Sequence, residues 1–125
     1  MKRTLMIMAL AAAGISTLVA GNPPAKAARK APASYAMCAS CHSVSASAPR
    51  RIGPHLAGVY KRKAGAVAGY RYSPALKKSG LTWDTATLDR WLKQPRSTVP
   101  GNKMVFGGVR DAAKRAELIN YMKSL

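Results

Sequence analysis

The first apolar stretch of the chain has no helical or strand period. It runs without a charge from Thr4 to Ala20, follows Lys2 and Arg3, and is closed by Gly21, Asn22, Pro23 and Pro24. A basic flank, an apolar run and then small residues predict a secretory signal peptide. Ala25-Lys26-Ala27 suits a signal peptidase, so residues 1–27 are expected to be removed, with cleavage after Ala20 as the second choice. The run is 17 residues long and rich in Ala, Ser, Thr and Gly. That is close to the lower limit for a bilayer span, so export with cleavage is preferred to retention as an N-terminal anchor.

Beyond this segment the periodic stretches are short. Pro32 to Cys41 is compatible with a small helix, with Pro32 in its first turn, where a missing N–H is harmless. From Val44 to Gly69 neither period persists, and Gly53, Pro54, Gly58, Gly65 and Gly69 mark it as loop. Ser73 and Pro74 read as cap and first residue of a helix of about two turns stopped by Gly80. Asp84 caps a further helix with Leu88, Trp91 and Leu92 on one face, ended by Pro95. A loop then leads to Arg110, and the last helix begins near Asp111 with Leu118, Tyr121, Met122 and Leu125 at i, i+3, i+4 and i+7. No repeat and no strand of useful length is visible. The expected class is all-α, with short helices and long loops.

Length and charge narrow the function classes. The 125 residues suggest a single domain, too small for a doubly wound sheet, and no second long apolar run exists to make a transporter. Lys and Arg number 21 against 4 Asp and Glu. Removing Lys2, Arg3 and Lys26 leaves 18 basic and 4 acidic groups, a net +14 spread from Arg29 to Lys123. Such a field steers acidic partners at low ionic strength. Nucleic acid is not expected, because an exported chain seldom meets it and no zinc finger, RRM or helix-turn-helix pattern appears. Short helices between Gly- and Pro-rich loops bury little apolar area at this size, so something besides protein is expected to fill the centre.

Cys38-Ala39-Ser40-Cys41-His42 is C-x-x-C-H, the attachment motif of a c-type haem. Two thiols one helical turn apart can add to the two vinyl groups of a porphyrin edge, and the following His can turn onto the iron. A thioredoxin-like dithiol would need a βαβ frame that is absent. A zinc site would have to recruit His42 and His55, and a plain disulfide remains a third reading. For the sixth iron position the candidates are His55 and the methionines. Met37 abuts Cys38, Met122 lies on the apolar stripe of the last helix, and Met104 sits in a loop poor in other ligands, which makes it the preferred one.

The stretch from Cys38 to Leu125 resembles the class I cytochromes c, in particular the mitochondrial cytochrome c type and its bacterial relatives. Gly53 to Gly58 is similar to the family's G-P-x-L-x-G, and the aromatic stretch from Gly69 to Ser73 and on to Trp83 has its counterpart there. Leu88 to Pro95 resembles L-x-x-Y-L-x-x-P, and Pro100 to Phe106 resembles P-G-T-K-M-x-F. The resemblance implies a small fold wrapped around one covalent haem c. Cys38 and Cys41 would form its thioethers, and His42 and Met104 would be its axial ligands. Pro54 would accept from His42, while Arg62, Tyr72 and Trp83 would meet the propionates. Leu92 and Phe106 would line the pocket, and Lys61, Lys63, Lys78, Lys93 and Lys103 would ring its edge.

Departures accompany the matches. Lys30 and Ser34 stand where the family has Gly and an aromatic, with Tyr35 one step late, which leaves the packing of the first helix on the last open. Trp91 replaces a Tyr, Asn102 a Thr and Leu76 an Asn, three changes beside one ligand. The expected function is that of a soluble, monomeric, periplasmic electron carrier between acidic redox partners, a reductase or dehydrogenase and a terminal oxidase. No enzyme activity and no stable membrane insertion are expected. Two rivals are a ligand-binding or peroxidase-like haem protein with labile Met104, and the electron-accepting subunit of a periplasmic dehydrogenase.

Overall fold

The computed structural model describes residues 29–125; the expected signal peptide lies outside the described residues. A 3₁₀ turn at Ala33–Tyr35 runs into α1, Ala36–Ala39. It is followed by α2 (Pro74–Lys78), α3 (Thr85–Lys93), α4 (Pro95–Thr98) and α5 (Ala112–Met122). Among the described residues there is no strand, only an isolated antiparallel bridge between Lys63 and Thr82.

Three helices start at the side chains that the sequence nominates. Ser73 Oγ accepts from the Leu76 amide at 3.1 Å, Asp84 Oδ1 from Thr87 at 2.8 Å, and Asp111 Oδ1 from Ala113 and Lys114 at 2.8 and 3.1 Å. Each carboxylate or hydroxyl thereby satisfies amides that the first helical turn leaves without partners. Three elements differ from expectation. The helix expected over Pro32 to Cys41 is the 3₁₀ turn and the four residues of α1. Helix α2 spans five residues, shorter than two turns. Pro95 does not open a long loop; it occupies the first turn of α4, where its missing N–H costs nothing, so the chain turns into a new helix at the residue that ends the previous one.

Helices α3 and α5 pack on each other and carry most of the core. Thr87, Leu88, Trp91 and Leu92 are buried on one, and Leu118, Ile119, Tyr121 and Met122 on the other. Leu125, expected on the same stripe, is half-buried, and Ile119 takes its share. Leu118 is fully buried, a contribution of roughly 1.5–3 kcal/mol relative to exposure. The 3₁₀ turn ahead of α1 is what reaches the last helix. Tyr35, one step out of the usual register, is buried and meets Tyr121 edge-on, ring centroids 4.8 Å apart at 67°. Its hydroxyl is buried without a partner, and burial pushes the phenol pKa up to about 12.

Arg115 is the charged member of this core. Its Nε donates to Asp89 Oδ1 on α3 at 2.7 Å, and its Nη1 donates to the carbonyls of Val109 and Arg110 at 2.9 and 2.7 Å. One guanidinium thus ties α5 to α3 and to the segment that precedes α5.

Candidate functional site

Three loops and the inner faces of α1, α3 and α5 enclose a cavity whose empty space is about 1350 Å³, including the part open to solvent. Cys38, Cys41, His42, Pro54, Arg62, Tyr72, Trp83, Trp91, Met104 and Phe106 all line it. So do Leu76, Leu92, Asn102 and Met122, so the last is a wall residue as well as a core residue. The folded chain brings these nominated residues to one space.

On one wall, α1 carries Cys38 and ends at Ser40. The amides of Cys41 and His42 both bond back to the Cys38 carbonyl, at 3.1 and 2.9 Å. Cys38 and Cys41 do not form a disulfide with each other, and burial, then the neighbouring Cys41, pushes the Cys38 thiol pKa up. His42 Nδ1 lies 2.7 Å from the Pro54 carbonyl oxygen. A carbonyl can only accept, so Nδ1 carries the proton and Nε2 keeps a free lone pair. Burial lowers the imidazole pKa and the Pro54 bond partly restores it, so the ring is neutral near pH 7. The loop that supplies Pro54 closes against the same ring. A Cβ on Gly53 would stand 2.6 Å from Nδ1 and 2.9 Å from Nε2, and the Gly53 amide bonds to the Cys41 carbonyl at 2.8 Å.

A second group of donors gathers at Arg62. Its two terminal nitrogens donate to Ala57 and His55 carbonyls at 2.7 and 3.0 Å, which leaves further N–H groups unused, and burial lowers its pKa against the opposing influence of Tyr72. The Tyr72 hydroxyl accepts from the Val67 amide at 3.1 Å, so its own proton remains available to an acceptor. Burial, ahead of the other influences, raises the Tyr72 pKa and keeps the phenol neutral. Trp83 is buried beside Trp91, with ring centroids 5.2 Å apart, and neither indole N–H has a partner among the described residues. Trp83 is fixed by its backbone, which exchanges bonds of 2.9 Å with Lys61 and Arg62.

The third wall is the loop from Pro100 to Arg110. Met104 is half-buried in it, with its amide bonded to Asn102 Oδ1 at 2.9 Å and its carbonyl to the Phe106 amide at 3.1 Å. Further on, Gly108 has φ +96 and sits so close to the Lys93 carbonyl that a side chain would collide with it, while Val109 donates to Leu92 at 2.7 Å. Asn102 carries more bonds than its place in the sequence suggests; no sequence signal marks them.

The rim is apolar inside a cationic surround. Ile52 and Val105 are 79% and 91% exposed, and Met37 is 50% exposed. All three touch the cavity. The lysines nominated for the rim are all exposed, but of these five only Lys103 lines the cavity, its ammonium bonded to the Arg71 carbonyl. His55 does not line it, and its Nδ1 is buried without a partner. No group of three His, Cys, Asp or Glu side chains converges among the described residues, so His42 and His55 do not join the two thiols in a zinc-type set. No described helix is long and apolar enough to cross a membrane.

No protein-family model matches the chain. It is 52% identical over 95 residues to cytochrome c2 iso-2 of Magnetospirillum fulvum, an alignment covering 76% of this chain and 98% of the relative. To cytochrome c of Gibberella zeae it is 44% identical over 86 residues, 69% and 81% of the two chains. Cytochrome cH from Methylobacterium extorquens superposes with a TM-score of 0.69 at 46% identity, covering 74% of this chain and 92% of that one.

Proposed function

The chain belongs to the class I cytochromes c, and from that membership we propose that it is a soluble periplasmic carrier whose haem is held by Cys38 and Cys41 and whose iron is ligated by His42 and Met104. Members carry one covalent haem c, and this chain is an electron-transfer protein and not an enzyme. The haem supplies a one-electron change between ferric and ferrous iron.

The residues of the cavity fit that group. His42 is neutral and keyed by Pro54, with Nε2 left to bind a metal, the arrangement that fixes the tautomer and raises the basicity of a ligating imidazole. The two thiols sit one turn apart on the same wall. The unused N–H groups of Arg62, the Tyr72 hydroxyl and the Trp83 indole offer donors to the carboxylates of a porphyrin, which need partners when they leave water. Trp91, Leu92 and Phe106 line the cavity and would keep water from the bound group. Met104 presents a thioether, a soft ligand that raises the reduction potential. Two protein ligands held by separate, bonded walls allow the electron to move with little rearrangement.

The carrier leaves through its signal peptide, 1–27, and works as a monomer of residues 28–125. Its partners are larger redox proteins with acidic docking faces, a reductase or dehydrogenase as donor and a terminal oxidase as acceptor. The unneutralised basic surface speeds encounter, and a small apolar rim permits quick release.

The observation that carries the reading is the placing of Cys38, Cys41, His42 and Met104 around one cavity. The mature protein, purified from the periplasm of a host that attaches c-type haem, should weigh one haem more than its polypeptide. Its reduced spectrum should be low-spin and unmoved by carbon monoxide, whereas Met104→Ala should bind carbon monoxide. A bare polypeptide mass defeats the haem assignment. A carbon monoxide shift in the unaltered protein defeats ligation by Met104.

A further inference from the structure

The side-chain amide of Asn102 is bonded on three sides. Its Nδ2 donates to the carbonyls of Pro95, which opens α4, and Val99, which follows its last residue, at 3.0 and 2.9 Å. Its Oδ1 accepts the backbone N–H of Met104 at 2.9 Å. Two carbonyls on one side and an N–H on the other admit one orientation of the amide, and both N–H groups of Nδ2 are used. The anchor is firm, because Pro95 is fully buried and Val99 is 5% exposed. A threonine, usual in the family at this position, has one hydroxyl proton and cannot make two donations while accepting a third bond.

We propose that Asn102 is the positioning residue for Met104: it transmits the fixed position of α4 to the backbone of the proposed ligand and holds the thioether over the cavity. This inference rests on ligation by Met104. The loop is pinned at its far end by Gly108 and Val109 against α3, so Asn102 supplies the near pin, two residues from the sulfur-bearing side chain. Without it the Met104 amide loses its partner, and the span between Val99 and Val109 gains freedom to swing Met104 away.

The test compares the holoprotein with Asn102→Ala, Asn102→Asp and Thr98→Val, and reads the affinity of the ferric form for added imidazole, the reduction potential and the urea midpoint. Asn102→Asp keeps an oxygen facing the Met104 amide but sets its other oxygen against the two α4 carbonyls. Thr98→Val removes the single hydroxyl proton that the Arg90 and Gln94 carbonyls share at 3.0 and 2.9 Å, and leaves the Asn102 amide untouched. Both Asn102 variants should bind imidazole about tenfold more tightly than the parent, equivalent to ~1.4 kcal/mol, and should have a lowered potential. Thr98→Val should lower the urea midpoint without changing imidazole affinity. Parent-like imidazole affinity and potential in Asn102→Ala overturn the positioning role, as does a rise in Thr98→Val matching that of the Asn102 variants. If Met104→Ala binds imidazole no better than the parent, ligation by Met104 itself fails, and that outcome is separate from the others.

Discussion

Replacing Gly53 by alanine adds one methyl group directly against the His42 ring. The backbone of Gly53 is not in the left-handed region, so the cost comes from contact alone. The new Cβ would stand 2.6 Å from His42 Nδ1. The ring atom Cε1 would lie nearer still, so ring or loop must yield by about 0.9 Å or more to reach an ordinary separation of roughly 3.5 Å. Neither is free to do so. The ring is tied to Pro54 at 2.7 Å, one residue beyond the methyl, and Gly53 is tied to Cys41 at 2.8 Å. Overpacking of a filled site costs about 1–3 kcal/mol, and losing one of these two bonds adds on the order of 1 kcal/mol. The expected destabilisation is therefore about 2–4 kcal/mol, a fall in melting temperature on the order of 10 °C or more for a domain of this size. Urea and thermal unfolding of the holoprotein measure it, and the potential should fall or the low-spin spectrum weaken as the imidazole tilts. Stability within about 0.5 kcal/mol of the parent, a range ordinary for a harmless surface change, together with an unaltered spectrum, would refute the claim that this loop clamps the ring.

Three other outcomes are expected. Arg115→Met should cost about 2–4 kcal/mol in urea unfolding, below the full figure for a buried ion pair because Asp89 is 44% exposed; Asp89→Asn should cost less, since the carbonyl bonds of Arg115 remain, and equal losses would contradict that division. The Asp84 and Asp111 carboxyls are held below their ordinary pKa first by the backbone amides they accept from, so each contributes stability that is present above the ordinary value of 3.8 and is lost as pH falls through the folded value. Asp84→Asn and Asp111→Asn together should flatten the acid limb of the stability profile, and an unchanged limb would show that other groups control it. Raising ionic strength should slow electron exchange with an acidic partner protein in stopped-flow measurements, and a rate insensitive to salt would remove charge steering.

The sequence was most readable where a side chain acts on its own neighbours. Ser73, Asp84 and Asp111 bond amides two or three residues on, so their caps can be seen without a tertiary structure. Pro95 misleads for a local reason, since a proline that ends one helix is equally suited to begin another. The cysteine pair and His42 are legible because the chemistry itself demands close spacing. What stayed hidden depends on partners far along the chain. Arg115 looks like one more surface charge until Asp89, 26 positions away, is beside it. Asn102 looks like a turn residue until α4, which the pattern did not disclose, presents its carbonyls. Tyr35 seems out of place until the edge of Tyr121 receives it.

Of the four acidic residues, two cap helices and a third is paired with the guanidinium between α3 and α5; only Glu117 has neither a hydrogen bond nor an ion pair among the described residues. The lysines reserved for the rim are all on the surface. Redesigning this molecule for a differently charged docking face can therefore proceed by editing lysines while the scaffold stays whole, whereas neutralising its scarce aspartates would loosen helix ends and the α3–α5 tie without usefully recolouring the exterior.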